Sequence, residues 1–264
     1  MQILDKDKLL TDGYLTFNLK EVDNFLYDEL YKNFNKETFL NEPFTFRYDG
    51  CLKVPKNSKI KDDINNYLYK ILTKFNLESD SKIYINANSD DNENEEIGLS
   101  LRVKGNYDSL KRFEKIINKF KYRTSQSWYF FSVIDNDKLN EILSDIYFKT
   151  IYDLYLEDIV NKTNYQQINI SNGTDLTLYT KNNFIEPHED GYVEGRLCVV
   201  LIYLNDDYQD GYGGELVINE SIIVKPEFGN VVILDFTKNN VNHEVVRVID
   251  DNFKRFASIK FFYK

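Results

Sequence analysis

Between residues 20 and 34, KEVDNFLYDELYKNF spaces Val22, Phe25, Leu26, Leu30 and Phe34 along one helical stripe. Residues 62–75 repeat the spacing with Ile64, Leu68, Ile71, Leu72 and Phe75. Both patterns predict amphipathic helices packed on a larger body. Between them, PFTFRYDG and KVPKNS read as extended pieces bounded by turns. From residue 82 the texture changes. KIYINAN reads as a strand, NSDDNENEE as a solvated acidic loop, and IGLSLRV as a second strand. YDSLKRFEKIINKF has helical spacing through Leu110, Phe113, Ile116, Ile117 and Phe120. SWYFFSVI is a third strand, and NDKLNEILSDIYF opens another helix with Asn136 or Asp137 as N-cap. This ββαβα order describes a small α/β unit over about 80–147, within a supporting region that runs from 1 to 165.

After residue 165 the helical period fades. Short runs bounded by Gly, Asn, Asp or Pro follow: DLTLYT, FIEPHED, RLCVVLIYL, GGELVI, IIVKPEFG, NVVILDF, HEVVRVI and RFASIKFFY. Many short strands at even spacing predict an antiparallel sandwich or barrel over residues 166–264. RLCVVLIYL is apolar on both alternating faces, as in a strand covered on both sides. The fold class is therefore α+β.

Composition narrows the function. Apolar residues make up 42% of the 264, enough for a real core, and with one Met and one Trp that core must be filled by Ile, Leu, 20 Tyr and 19 Phe. The formal charge of −10 shows no basic face, which argues against a nucleic-acid partner. No run approaches the roughly 18 apolar residues of a membrane span, and the charged start MQILDKDKLL lacks a signal peptide's apolar stretch. Cys51 and Cys198 fit no metal spacing, and Cys198 reads as a small buried thiol. A reduced, cytoplasmic setting follows as the default expectation.

Only two histidines occur in the chain. His188 stands two places before Asp190, and in a strand residues two apart share a face, with Glu189 turned away. His243 begins another strand-like run, and hairpins could bring it beside His188. Two His and one carboxylate form the facial set of non-haem Fe(II) oxygenases; the same donors also serve zinc, although no separate general base for a hydrolase is visible. Taken singly, each histidine could equally be a hydrogen-bonded core residue.

The motifs H-E-D, R-L-C-V-V-L-I-Y-L-N, G-G-E-L, V-K-P-x-x-G-x-V-V-I, H-E-V and R-F-A-S-I-K-F-F, in this order over about residues 176–264, resemble the prolyl 4-hydroxylase-type branch of the 2-oxoglutarate and Fe(II)-dependent dioxygenases. The resemblance implies a double-stranded β-helix (a jelly-roll) with supporting N-terminal helices, and Fe(II) held by His188, Asp190 and His243. It implies 2-oxoglutarate as co-substrate and O2 as oxidant. Arg255, twelve after His243, would bind the far carboxylate of 2-oxoglutarate, since a guanidinium fork matches a carboxylate. Lys254 is the neighbouring alternative; strand parity favours Arg255, which shares an interior face with Ala257, Ile259 and Phe261 while Lys260 falls on the other. Tyr203 would support the same carboxylate, or be a core tyrosine bonded to backbone. Tyr179, nine before His188, would contact 2-oxoglutarate or substrate.

Asn182-Asn183 replaces a Gly common in the family, and Asn tolerates a left-handed turn. Gly213-Gly214 and Gly229 read as turn or bulge residues. Asp190, rather than Gly or Ala, favours hydroxylation over halogenation. The implied substrate is a prolyl residue in a peptide or protein, with a free amino acid or small metabolite as the alternative. Loops 191–195 and 206–213, and the 80–147 unit, would set that choice. The rival from another class is a non-catalytic β-helix that binds a metal or ligand.

Overall fold

Helices and short strands alternate from the N-terminus in the computed structural model, which describes residues 4–55, 60–79, 82–86, 94–120, 123–131, 137–160, 175–190, 194–237 and 241–263. The chain divides into two compact units, Lys36–Phe131 and the remainder, Met1–Asn35 with Ser132–Lys264.

The larger unit starts with α1 (Lys6–Asp12), β1 (Tyr14–Asn18), α2 (Leu19–Val22) and α3 (Asn24–Asn33). The stripe expected to form one helix over 20–34 is thus two pieces. Asp23 is the cause: its extended backbone ends α2, and its carboxylate accepts from the Leu26 N–H at 3.0 Å to cap α3. A short acidic side chain competes with the helix interior for backbone donors and so favours a cap.

The second unit holds α4 (Lys36–Phe39), β2 (Pro43–Pro55), α5 (Ile60–Phe75), β3 (Glu78–Ser79), β4 (Lys82–Asn86), β5 (Asn94–Asn106), α6 (Tyr107–Phe120) and β6 (Arg123–Phe131). β5 pairs antiparallel with the full length of β2, from Pro43↔Asn106 to Pro55↔Asn94, and β6 takes the other edge of β2. β3 and β4 line the outer edge of β5. Phe44, Phe46, Phe113 and Tyr129 are fully buried and meet edge-on or tilted at its centre. Buried Glu114 accepts a 2.7 Å hydrogen bond from the Tyr129 hydroxyl, which satisfies both polar atoms. The α/β unit therefore begins near residue 36 rather than 80, because β2 is its central strand. It ends at 131 rather than 147.

Helix α7 (Asp137–Val160) returns the chain to the larger unit. Asp137 is its first helical residue, and residue 136 lies outside the described residues. The strands that follow are β7 (Asp175–Tyr179), β8 (Phe184–His188), β9 (Arg196–Tyr203), β10 (Leu216–Ile218), β11 (Ile222–Val224), β12 (Asn230–Asp235), β13 (His243–Val245) and β14 (Arg255–Tyr263). Their pairings, all antiparallel, make two sets. One runs β1-β12-β9-β14-β7. The other runs β8-β13-β10-β11. Successive strands cross from one set to the other, except at the β10–β11 hairpin. That alternation makes the larger unit a double-stranded β-helix.

β9 lies at the centre of the first set, and Leu197 through Tyr203 are all buried. Each such apolar side chain contributes about 1.5–3 kcal/mol relative to exposure. α7 covers one face of this set: the Tyr147 hydroxyl shares a 2.6 Å hydrogen bond with Ser258, and the Tyr155 hydroxyl donates to Asp235 at 2.8 Å. The face of β14 carrying Lys260 is consequently not a solvent face. Phe256, Ser258, Lys260 and Phe262 are buried there, with Phe34 against Phe256 and Tyr147 against Phe262. The Lys260 ammonium lies 5.6 Å from the Tyr147 ring, and burial holds its pKa below the usual lysine range. Among the described residues, no helix is long and apolar enough to cross a membrane.

Candidate metal and carboxylate site

His188 ends β8 and His243 begins β13, and the two strands pair with these residues opposite each other. A register shift follows immediately, between His243 and Val245. The imidazole centroids are 4.3 Å apart, with the rings tilted by 49°. Asp190 lies two residues past the end of β8, so it is loop geometry rather than strand alternation that turns its carboxylate inward. Its Oδ1 is 3.7 Å from His188 Nε2. One donor atom from each of His188, Asp190 and His243 lies within 4.8 Å of the others, a set that could hold a metal ion.

Backbone carbonyls fix the tautomers. His188 Nδ1 is 2.9 Å from the Glu186 oxygen, and His243 Nδ1 is 2.9 Å from the Val241 oxygen. A carbonyl can only accept, so each Nδ1 carries the proton and each Nε2 keeps its lone pair. This is the arrangement a metal-binding imidazole needs. Asp190 beside it raises the pKa of His188, although burial opposes the shift. Burial lowers the pKa of His243. Burial works to raise Asp190, but His188, the charge of His243 and the charge of Arg196 together hold it below the usual carboxylate value. Two imidazoles and an ionised carboxylate are nitrogen and oxygen donors suited to Fe(II) or zinc.

Arg255 opens β14 and is only 1% exposed. Its Nη2 donates to the Tyr203 hydroxyl at 3.2 Å. Its guanidinium lies 4.6 Å from the Tyr179 ring and 4.9 Å from the Tyr203 ring. Tyr179 is its register partner across β7 and β14. Arg255 Nε is buried without a hydrogen-bond partner, and no carboxylate among the described residues forms an ion pair with this side chain. A buried cation without a counter-charge is costly, so the site favours an incoming anion. A carboxylate would satisfy the open Nε and could engage the fork in two parallel bonds. Lys254 is half-buried, and since the Lys260 face of β14 is buried as well, it is the contacts with Tyr179 and Tyr203 rather than parity that set Arg255 apart. Burial raises the pKa of Tyr203 while Arg255 pulls it down, leaving a neutral phenol that can both accept and donate.

Arg196 was not expected at the site. Strict alternation places it with Cys198, on the α7 side of β9. A register shift between Phe262 and Tyr263, opposite Arg196, breaks that parity. Its guanidinium lies 5.3 Å from the Phe236 ring and 4.9 Å from the Phe261 ring, with Nε buried and unpaired. Gly195, just before the strand, takes φ 78, and a glycine at this point is a sequence signal of the irregularity. Asn182 takes φ 73, the left-handed turn expected in place of glycine. Of the two loops expected to set specificity, residues 191–193 lie outside the described residues. In the 206–213 loop, Asp210 pairs with Lys225 at 2.7 Å and the Tyr208 hydroxyl donates to Glu215 at 2.6 Å.

Residues 174–263 match the family model of the 2OG-Fe(II) oxygenase superfamily. That segment holds all six residues singled out above and β7 through β14. It is a 2OG-Fe(II) oxygenase domain, whose chemistry uses Fe(II), 2-oxoglutarate and O2. No curated protein matches the chain. Among solved structures, a prolyl-4-hydroxylase from Pseudomonas putida aligns with 98% of this chain and 97% of its own, at 12% identity and a TM-score of 0.46. A viral collagen prolyl hydroxylase from Paramecium Bursaria Chlorella virus-1, in complex with 2OG, aligns with 55% of this chain and 83% of its own, at 17% identity and a TM-score of 0.41. IDO from Bacillus thuringiensis aligns with 98% and 92%, at 14% identity and a TM-score of 0.37. Likenesses this distant assign no substrate.

Proposed function

We propose that the protein hydroxylates a C–H bond, that of a prolyl residue in a peptide or protein, with His188, Asp190 and His243 as the iron ligands. The observation that carries the reading is the juxtaposition of one donor atom each from His188, Asp190 and His243 within 4.8 Å of one another. Arg255, buried and lacking a counter-charge, adds a carboxylate site on the adjoining strand set of the same unit. The reaction consumes 2-oxoglutarate and O2 and yields succinate, CO2 and the hydroxylated product, so one oxygen atom enters succinate and the other enters the product. Bound Fe(II) supplies the activation of O2.

The chain's own residues bind and orient. His188 and His243 present lone pairs at fixed angles because each Nδ1 is tied to a carbonyl. Asp190 offsets one metal charge. Arg255 takes the distal carboxylate of 2-oxoglutarate, the Tyr203 hydroxyl completes its shell, and the Tyr179 ring covers the guanidinium. The prolyl assignment is supported by the order of sequence motifs across the domain. Of the acidic residues Glu194, Asp206, Asp207 and Asp210, the last is offset by Lys225, and the excess negative charge that remains favours a peptide with basic flanks.

A panel of proline peptides with neutral, acidic and basic flanks, run beside free amino acids, tests the substrate. The readouts are succinate release and a hydroxylation mass increment on the product. Basic-flanked peptides should lead, more so at low salt. Hydroxylation of a free amino acid with no peptide product would replace the peptide reading with the small-molecule one.

A further inference from the structure

Gly214 is placed against Arg255 in a way that a side chain could not share. It adopts φ +88, and a Cβ there would stand 3.0 Å from Arg255 Cδ, 3.3 Å from Val248 Cγ2 and 3.6 Å from Arg255 Cβ. The backbone at this point has no room to retreat. The Gly214 N–H donates to the Val246 carbonyl at 3.0 Å, and the Val246 N–H donates to the Glu215 carbonyl at 2.9 Å. One residue earlier, a Cβ on Gly213 would lie 2.0 Å from the Arg247 carbonyl oxygen. The Tyr212 carbonyl accepts from Ile249 at 2.9 Å. Residues 212–215 are thus pinned along 246–249, the segment leading into β14. Packing of the Tyr208, Tyr212 and Phe253 rings, with centroids 5.4–6.4 Å apart, further holds this strap beside the start of the strand.

The Arg255 side chain is therefore bounded by the Tyr179 ring, the Tyr203 ring and the bare Cα of Gly214. We propose that Gly214 is a positioning residue for 2-oxoglutarate binding: its missing side chain leaves the space in which the stem of Arg255 lies, and so aims the guanidinium at the distal carboxylate. This rests on the role given to Arg255 in the proposed function. A Cβ at 3.0 Å must be relieved by the softer partner, which is the arginine stem and not the doubly bonded strap. The guanidinium then shifts out of line with the carboxylate.

The test is anaerobic calorimetry of 2-oxoglutarate binding to the Fe(II)-loaded full chain, with Fe(II) affinity measured separately. Gly214→Ala should weaken 2-oxoglutarate binding about tenfold or more, as a sub-ångström to ångström misplacement of a binding group does, and leave Fe(II) affinity unchanged. Gly214→Asn is the companion variant. Asn adopts positive φ more readily than Ala, so it carries less backbone strain with a Cβ in the same place. It should fold where Ala is too destabilised to purify, and show the same weakening. In an Arg255→Ala background neither substitution should weaken binding further, because the group they displace is gone. Wild-type affinity in both Gly214 variants would overturn the proposal while leaving Arg255 as the carboxylate ligand. An equal loss in the Arg255→Ala background would also overturn it, tracing the effect to backbone strain. If Arg255→Ala itself bound 2-oxoglutarate normally, the role of Arg255 would fall and this inference with it.

Discussion

His188 and His243 are partners in the β8–β13 register, ring centroids 4.3 Å apart, and each directs Nδ1 to the carbonyl two residues before it. The same local bond, made twice on facing strands, leaves Nε2 of each ring free to donate a lone pair. No third histidine exists to replace either.

His188→Ala and His243→Ala should each abolish stoichiometric Fe(II) binding. Metal content after anaerobic loading and desalting measures it directly. Full occupancy in both variants would remove the triad.

Asp190→Asn keeps the shape of the side chain and removes its charge. Fe(II) affinity should fall by at least tenfold, and hydroxylation should be lost even in excess Fe(II). Hydroxylation at the wild-type rate would mean that another carboxylate, such as Glu189, completes the site.

The histidine pair was legible in the sequence because histidine is so scarce and both copies stand at the ends of strand-like runs. The inward direction of Arg255 was legible from strand alternation, but alternation misjudged the opposite face of that strand, which is buried as well. Other features depend on distant partners. β2 reads as two short extended pieces because Gly50 and Pro55 punctuate it, and only its thirteen-residue pairing with β5 makes it one strand. Lys260 reads as lying on the face opposite the interior one, since nothing local shows that α7 continues to Val160 and covers that face. Arg196 stood out in no local pattern, and its direction depends on a single register shift against the neighbouring strand. A one-residue slip changes the face of a side chain without changing the pattern of its own strand.

Arg255→Ala should raise the KM for 2-oxoglutarate steeply and leave Fe(II) binding intact. Loss of a buried charge-assisted pair costs about 2–5 kcal/mol when the partner charge is left unpaired. Arg255→Lys should recover part of this, since an ammonium cannot form the fork. Steady-state kinetics at varied 2-oxoglutarate separates KM from kcat. A large effect from Lys254→Ala, with none from Arg255→Ala, would contradict the assignment.

Tyr155→Phe should lower stability without altering Fe(II) or 2-oxoglutarate binding. The fully buried Asp235 carboxylate accepts from Tyr155 at 2.8 Å and from the Thr237 hydroxyl and backbone N–H. Burial raises the pKa of the Tyr155 phenol, so it acts as a donor. Removing one donor from a buried carboxylate costs about 1–3 kcal/mol. The urea midpoint at unchanged slope reads this loss. An unchanged midpoint would show that α7 is held without this bond.

On the reading proposed above, His188, Asp190, His243 and Arg255 together run an Fe(II)-dependent consumption of 2-oxoglutarate. The most direct measurement follows succinate formed from 2-oxoglutarate in air and under anaerobic conditions, in wild type and in His243→Ala, with and without added Fe(II). Wild type should form succinate only when Fe(II) and O2 are both present, and His243→Ala should form none at any Fe(II) concentration. Succinate formation without Fe(II), or equal formation by wild type and His243→Ala, would contradict the account.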